Sequence, residues 1–256
     1  MMRALRKLGF LVLSSLTPGT GAAADERITG YQELSPELQM VQDDPFKNPG
    51  MLWVGEGESL WAAPVGEGGK SCASCHADAA SMQGVAARYP AFDEQSGRIT
   101  DLTGRIMSCQ SQHQGVEPFE RESRELLALT AFVARQSAGL PITPDPDPRL
   151  SPWRQQGAAL FQKRLGQLNL SCSQCHNDYA GERLLAAVIP QAHPTGYPQY
   201  RLEWEGMGSL QRRLNNCLTG VRATPFTAGS DEYVALELYL MDRASGLPIE
   251  APAIRP

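Results

Sequence analysis

Cys72-Ala73-Ser74-Cys75-His76 and Cys172-Ser173-Gln174-Cys175-His176 are two copies of one pattern, C-x-x-C-H, set 100 positions apart in a chain of 256 residues. In this pattern the two thiols add across the vinyl groups of a haem, and the adjacent imidazole supplies a nitrogen to its iron. C-x-x-C alone also builds zinc sites and dithiol redox centres. Neither needs a His directly after the second Cys. The doubled pattern therefore predicts two covalently bound haem c groups, attached through Cys72, Cys75, Cys172 and Cys175, with His76 and His176 as proximal iron ligands.

The repeat extends outward from these signatures. Gly57, Leu60 and Trp61 match Gly157, Leu160 and Phe161 at the same offset of 100. Arg105 and Cys109 match Arg213 and Cys217 at an offset of 108. Pro118-Phe119 pairs with Pro225-Phe226, and Gly139-Leu140-Pro141 with Gly246-Leu247-Pro248, at an offset of 107. The second copy thus carries a longer loop between its haem signature and its later Cys. Leu126, Leu129 and Val133 give helical periodicity to a closing helix from about Ser123 to Ala138, which Gly139 and Pro141 stop. A second closing helix is predicted from Asp231 to Ser245, with Ser230 placed to cap it. No strands are predicted.

A helix before C-x-x-C-H and a packed closing helix resemble the small class I cytochromes c. The expected fold is mainly α: two tandem class I cytochrome c-like domains over residues 51–143 and 151–256. A Pro-rich linker at 144–150 joins them, because the alternating prolines from Pro141 to Pro148 suit a stiff extended connection. Residues 25–50 have no counterpart in the second half and are expected to wrap over one domain or a partner.

Residues 1–24 read as a cleavable signal peptide: Arg3, Arg6 and Lys7, an apolar run from Leu8 to Leu16, then small residues ending at Ala24. The run is far short of the ~20 residues a membrane span needs, and no later segment supplies one. Loss of those three positive charges moves the formal charge from −5 to −8. An acidic chain without a basic patch is a poor partner for nucleic acid. A periplasmic protein is expected.

The distal iron ligands decide between functions. Met82, Met107, Met207 and Met241 do not align between the copies, and neither do His113 and His193. Cys109 and Cys217 do. Two spare thiols in an exported protein commonly form a disulfide, which needs Cα atoms within roughly 7 Å. Each Cys, however, stands where a class I cytochrome offers its distal ligand. The preferred assignment is thiolate ligation opposite His76 and His176, with the disulfide as alternative. Thiolate stabilises ferric iron, so both potentials should be low.

The segment Ser209-Leu210-Gln211-Arg212-Arg213-Leu214-Asn215-Asn216-Cys217-Leu218, together with the two haem signatures, resembles the SoxA family over essentially the whole mature chain. SoxA is the larger cytochrome subunit of the SoxAX complex of bacterial thiosulfate oxidation. The resemblance implies that Cys217 is the catalytic haem ligand, found in that family as a persulfide, and that Arg213 binds substrate. It implies an L-cysteine S-thiosulfotransferase activity, the oxidative coupling of thiosulfate to a cysteine of the SoxYZ carrier protein. Two electrons would pass to the SoxX partner and on to a small cytochrome c. Some members have lost the first haem; Cys72, Cys75, His76 and Cys109 match the dihaem form.

The chemistry agrees with the resemblance. Residues 213 and 217 are one helical turn apart and share a face, so a guanidinium beside the sulfur can hold an oxyanion. Arg212 falls on the other side and reads as a solvated surface charge, while Leu210, Leu214 and Leu218 read as core. Arg105 bears the same relation to Cys109, so spacing alone does not single out Cys217. The rivals are a dihaem electron-transfer cytochrome with Met or His ligands and an open-site haem enzyme such as a peroxidase.

Overall fold

The computed structural model describes residues 26–185 and 187–256; the signal peptide expected at 1–24 lies outside them. The first half runs through α1 (Pro36–Asp43), α2 (Gly50–Ala62), α3 (Ala73–His76), β1 (Ala91–Asp93), β2 (Arg98–Thr100), α4 (Leu102–Cys109) and α5 (Arg124–Arg135). The second half has α6 (Ser151–Gln162), β3 (Arg183–Leu184), β4 (Ala187–Val188), β5 (Gln199–Arg201), β6 (Gly206–Gly208), α7 (Leu210–Gly220), α8 (Asp231–Arg243) and β7 (Ala253–Arg255).

Each half is built on one close helix crossing, α2 on α5 and α6 on α8. The repeated glycines make the crossings possible. A Cβ at Gly57 would lie 2.1 Å from the Ala128 carbonyl oxygen, and one at Gly157 2.1 Å from that of Ala235. One turn further on, aromatic pairs seal both crossings: Trp61 with Phe132 at 5.6 Å between centroids, and Phe161 with Tyr239 at 5.3 Å. The residues at the contact set the helix separation, and here they are the same in kind in both halves. Around the crossings lie Val54, Leu127 and Val133 in one core, and Leu236 and Leu240 in the other.

α5 starts where Ser123 Oγ accepts the Leu126 N–H at 3.2 Å, and it ends at Arg135, before the expected Ala138. α8 starts at Asp231, but Ser230 makes no capping bond; its Oγ is buried without a partner among the described residues. Asp231 and Glu232 remain in the first turn to complement the helix dipole. The fold is mainly α as expected, with short strands that the sequence did not predict. At two or three residues each, they carry no readable alternation. β5 pairs antiparallel with β6 and parallel with β7.

The two halves meet through the repeat itself. Gly139 N–H donates to Ile249 O and Gly246 N–H to Ile142 O, each at 2.8 Å. Ile249 N–H donates to Leu140 O at 2.9 Å and Ile142 N–H to Leu247 O at 2.8 Å. These are two symmetric pairs of bonds between Gly139-Leu140-Pro141-Ile142 and Gly246-Leu247-Pro248-Ile249. Beyond Ile142 the proline segment runs extended but is tied down. Thr143 N–H donates to Ala87 O, Phe92 N–H to Asp145 Oδ2, and Arg154 to the Asp145 carbonyl. Alternating prolines lack N–H groups, yet the intervening residues keep carbonyls and carboxylates to bond with.

The N-terminal segment lies against the second half. Arg27 donates to the carbonyls of Arg243 and Ser245, Asn48 Nδ2 to Pro252 O, and Gln42 Oε1 accepts from Ile254 N–H. Among the described residues no helix is long and apolar enough to cross a membrane.

Candidate functional site

The helices that carry Cys109 and Cys217, α4 and α7, begin alike. Asp101 caps α4, its Oδ1 accepting the Gly104 N–H at 2.6 Å; Ser209 caps α7, its Oγ accepting the Arg212 N–H at 3.1 Å. From each cap the fourth residue is Arg and the eighth is Cys: Arg105 and Cys109, Arg213 and Cys217. All six cysteines are free, so Cys109 and Cys217 are not joined.

In the second half, His176 sits in a wide helical turn over Gln174–Asp178, with Nδ1 2.6 Å from the Pro190 carbonyl oxygen. That bond calls for a proton on Nδ1 and leaves Nε2 as the free lone pair, the tautomer an iron ligand needs. Burial pushes His176 toward the neutral form; the Pro190 carbonyl opposes this, and Arg213 and Arg243 add to it. Burial raises the Cys172 thiol to about 11, with Cys217 the next contributor, and Cys172 packs on the same apolar cluster as Leu210 and Leu214 of α7, the helix that carries Cys217. Burial of its hydroxyl pushes Tyr197 up to about 12, between the opposing influences of Arg213 and Cys217.

The first half differs in one respect. Arg105 is committed, its Nη2 2.9 Å from Asp93 Oδ1 and its Nε 3.3 Å from Tyr89 Oη. Arg213 has no carboxylate partner among the described residues. Two further cations bear on the same region. Arg201 pairs with the exposed Glu203, and burial followed by Arg213 lowers its basicity; Arg243 donates to Asn177 and lies over Phe161. Cys109 is raised by burial against the opposing Arg105, and Cys72 by burial and then Cys109.

These donor sets fit haem c. Among the described residues no three His, Cys, Asp or Glu side chains converge to hold a bare metal ion. Each half instead presents two thiols and an imidazole on one segment and a thiol on a facing helix. Trp61, 5.6 Å from the His76 ring between centroids, has a buried Nε1 with no partner among the described residues. Of the other candidate ligands, Met107 is half-buried on α4 itself, two residues before Cys109. Met207 and Met241 are buried in apolar clusters, Met82 packs against one, His113 is exposed, and His193 Nδ1 is 2.8 Å from Ile28 O. Arg212 is not the solvated charge expected of it: its guanidinium lies 4.2 Å from the centre of the Trp204 ring. Leu210 and Leu214 pack against Phe161, Leu236 and Leu240, and Leu218 is buried. Sequence reasoning missed Pro190, Tyr197, Arg201 and Arg243: the first two come from loops, Arg201 from β5 and Arg243 from the last turn of α8, and no motif links them to the signature.

The model of the SoxA/TsdA cytochrome c domain matches residues 56–142 and again 156–249. The chain belongs to the SoxA/TsdA cytochrome c family. Covalently bound haem c follows from that membership. The SoxA described as an L-cysteine S-thiosulfotransferase subunit in Pseudaminobacter salicylatoxidans is 38% identical, over 96% of this chain and 88% of that protein. The SoxA of Rhodovulum sulfidophilum, described in the same words, is 34% identical over 90% and 81%. The crystal structure of SoxXA from P. pantotrophus superposes with a TM-score of 0.86 at 33% identity, covering 90% of this chain and 87% of that one.

Proposed function

We propose that this chain is the dihaem SoxA subunit of an L-cysteine S-thiosulfotransferase, coupling thiosulfate oxidatively to a cysteine thiol of a SoxYZ carrier. The observation that carries the reading is Arg213, one turn before Cys217 and without a carboxylate partner among the described residues, where Arg105 in the equivalent place is neutralised by Asp93. An uncommitted guanidinium is available to an anion; a paired one is not. Family membership supports the same assignment.

In this reading Cys72 and Cys75 attach one haem and Cys172 and Cys175 the other. His76 and Cys109 would hold the iron of the first haem, and His176 and Cys217 that of the second. The halves are tandem cytochrome c-like domains, 51–143 and 151–256, with a Pro-rich link at 144–150 and an extension at 25–50. Arg213 holds the sulfonate end of thiosulfate, aided by the positive field of Arg201 and Arg243. The Cys217 sulfur, as thiolate or persulfide, stands next to the sulfane end. Joining thiosulfate to a carrier thiol forms one S–S bond, breaks one S–H bond, and releases one proton and two electrons. Haem, when bound, would supply the one-electron redox chemistry, and a SoxX partner and a small cytochrome c would be the acceptors of the two electrons. Leu168, Tyr179, Leu184 and Leu185, exposed by 47%, 59%, 65% and 95%, follow or precede the second signature and give SoxX an apolar surface. A signal peptide at 1–24 places the protein in the periplasm.

The test is Cys217→Ala in the complete complex. Thiosulfate coupling to the carrier should be lost while both haems stay covalently attached. Full retained activity would return the chain to the rival class, a dihaem electron carrier.

A further inference from the structure

Asp101 does more than cap α4. Its Oδ2 accepts from Gln211 Nε2 of α7 at 2.9 Å, a buried contact across 110 positions of sequence. Gln211 is in the first turn of α7, and its Oε1 accepts the Gly229 N–H at 2.7 Å. Arg121 completes Asp101 with bonds of 2.7 and 2.9 Å. It reaches there between two glycines: a Cβ at Gly104 would lie 3.1 Å from Arg121 Nη2, and one at Gly229 2.6 Å from its Nε. Glu237 of α8 closes the cluster. Burial, then Asp101, raises its carboxyl well above the usual range, with Arg121 and Gln211 opposing and Glu122 adding to the shift. A cavity of about 100 Å³ lies alongside, lined by Asp101, Leu102, Thr130, Ser209, Leu210 and Glu237.

The starts of the two ligand helices are therefore bonded to each other. A helix is stiff along its axis, so a displacement at the cap is carried to a residue eight positions on, roughly 12 Å away. In the repeat, the place of Gln211 is held by Thr103, so the bond runs in one direction only. We propose that the Asp101–Gln211 bond, clamped by Arg121, positions Cys109 and Cys217 together, so that ligation geometry at each haem site depends on the other. Asp101 and Gln211 are positioning residues, and the inference rests on the two-haem reading above.

The test uses the full complex with Gln211→Leu and Gln211→Glu. Leucine keeps the volume and removes both polar atoms. It should shift the ferric EPR g-values and reduction potential of the Cys109-ligated haem, in the half that was not altered. The kcat for thiosulfate coupling should fall about tenfold at unchanged KM, as expected of small misplacements. Glutamate keeps the bond from Gly229 but can donate to Asp101 only when protonated, so its EPR pattern should return toward the parent as pH falls. A Cys109-site spectrum indifferent to both variants overturns the inference alone, as does a glutamate variant that matches the leucine one at every pH. A parent carrying a single haem overturns the two-haem reading, and this inference with it.

Discussion

Arg105 and Arg213 hold the same place in their halves, and a carboxylate separates their fates. Arg213→Ala should raise KM for thiosulfate about 10- to 100-fold, the loss expected for charge-assisted bonds, with haem content unchanged. Arg105→Ala should leave that KM alone. Steady-state kinetics on both variants check the contrast. The Arg-x-x-x-Cys pairs and the haem signatures were legible in the sequence because their chemistry lies in short fixed spacings. That Asp93 reaches Arg105 while no carboxylate among the described residues reaches Arg213 was not, since it depends on how a β1 residue folds back on α4. Glu237 carries a pH prediction. Its folded pKa is raised, so its contribution to stability is full below the ordinary carboxylate range and is lost as pH rises toward the folded pKa. Glu237→Gln should escape that loss, and the Tm advantage of the variant should widen from pH 5 upward.

The helix crossings belong to the next scale. The pairs Gly57 with Trp61 and Gly157 with Phe161 were visible as a repeat, but their meaning comes from what lies opposite, Ala128 and Ala235 on partner helices 71 and 78 residues away. Gly57→Ala should cost about 1–3 kcal/mol, because the added methyl meets a backbone oxygen that cannot step aside. Gly157→Ala should cost a similar amount. Thermal unfolding of each variant measures this, and near-parent Tm values would mean the helices separate freely. Closing helices with long apolar periods were legible to within a few residues. The strands were not, because two- and three-residue elements are set by tertiary pairing, as β5 is by β6 and β7. Ser230 shows the same limit: its residue type suits a cap, but its hydroxyl is buried away from the first-turn amides.

Across the whole molecule, the segment that the prolines mark as a spacer is held by both halves. Ile142, fully buried, anchors it. Ile142→Ala should cost about 2–5 kcal/mol. It should also speed hydrogen exchange at the Gly139 and Gly246 amides together, although they lie in different halves, since both belong to one ladder. Exchange at only one would mean the halves open independently. The doubled Gly-Leu-Pro was plain in the sequence as a repeat, but nothing in a linear pattern says that a repeat will bind its own copy. That pairing is isologous: each tetrapeptide offers the other the groups it takes in return. A single-domain ancestor with one Gly-Leu-Pro-Ile edge would already have had the means to close on a second molecule of itself. In the present chain the same exchange of bonds makes the contact between the halves a covalently linked counterpart of a two-fold interface.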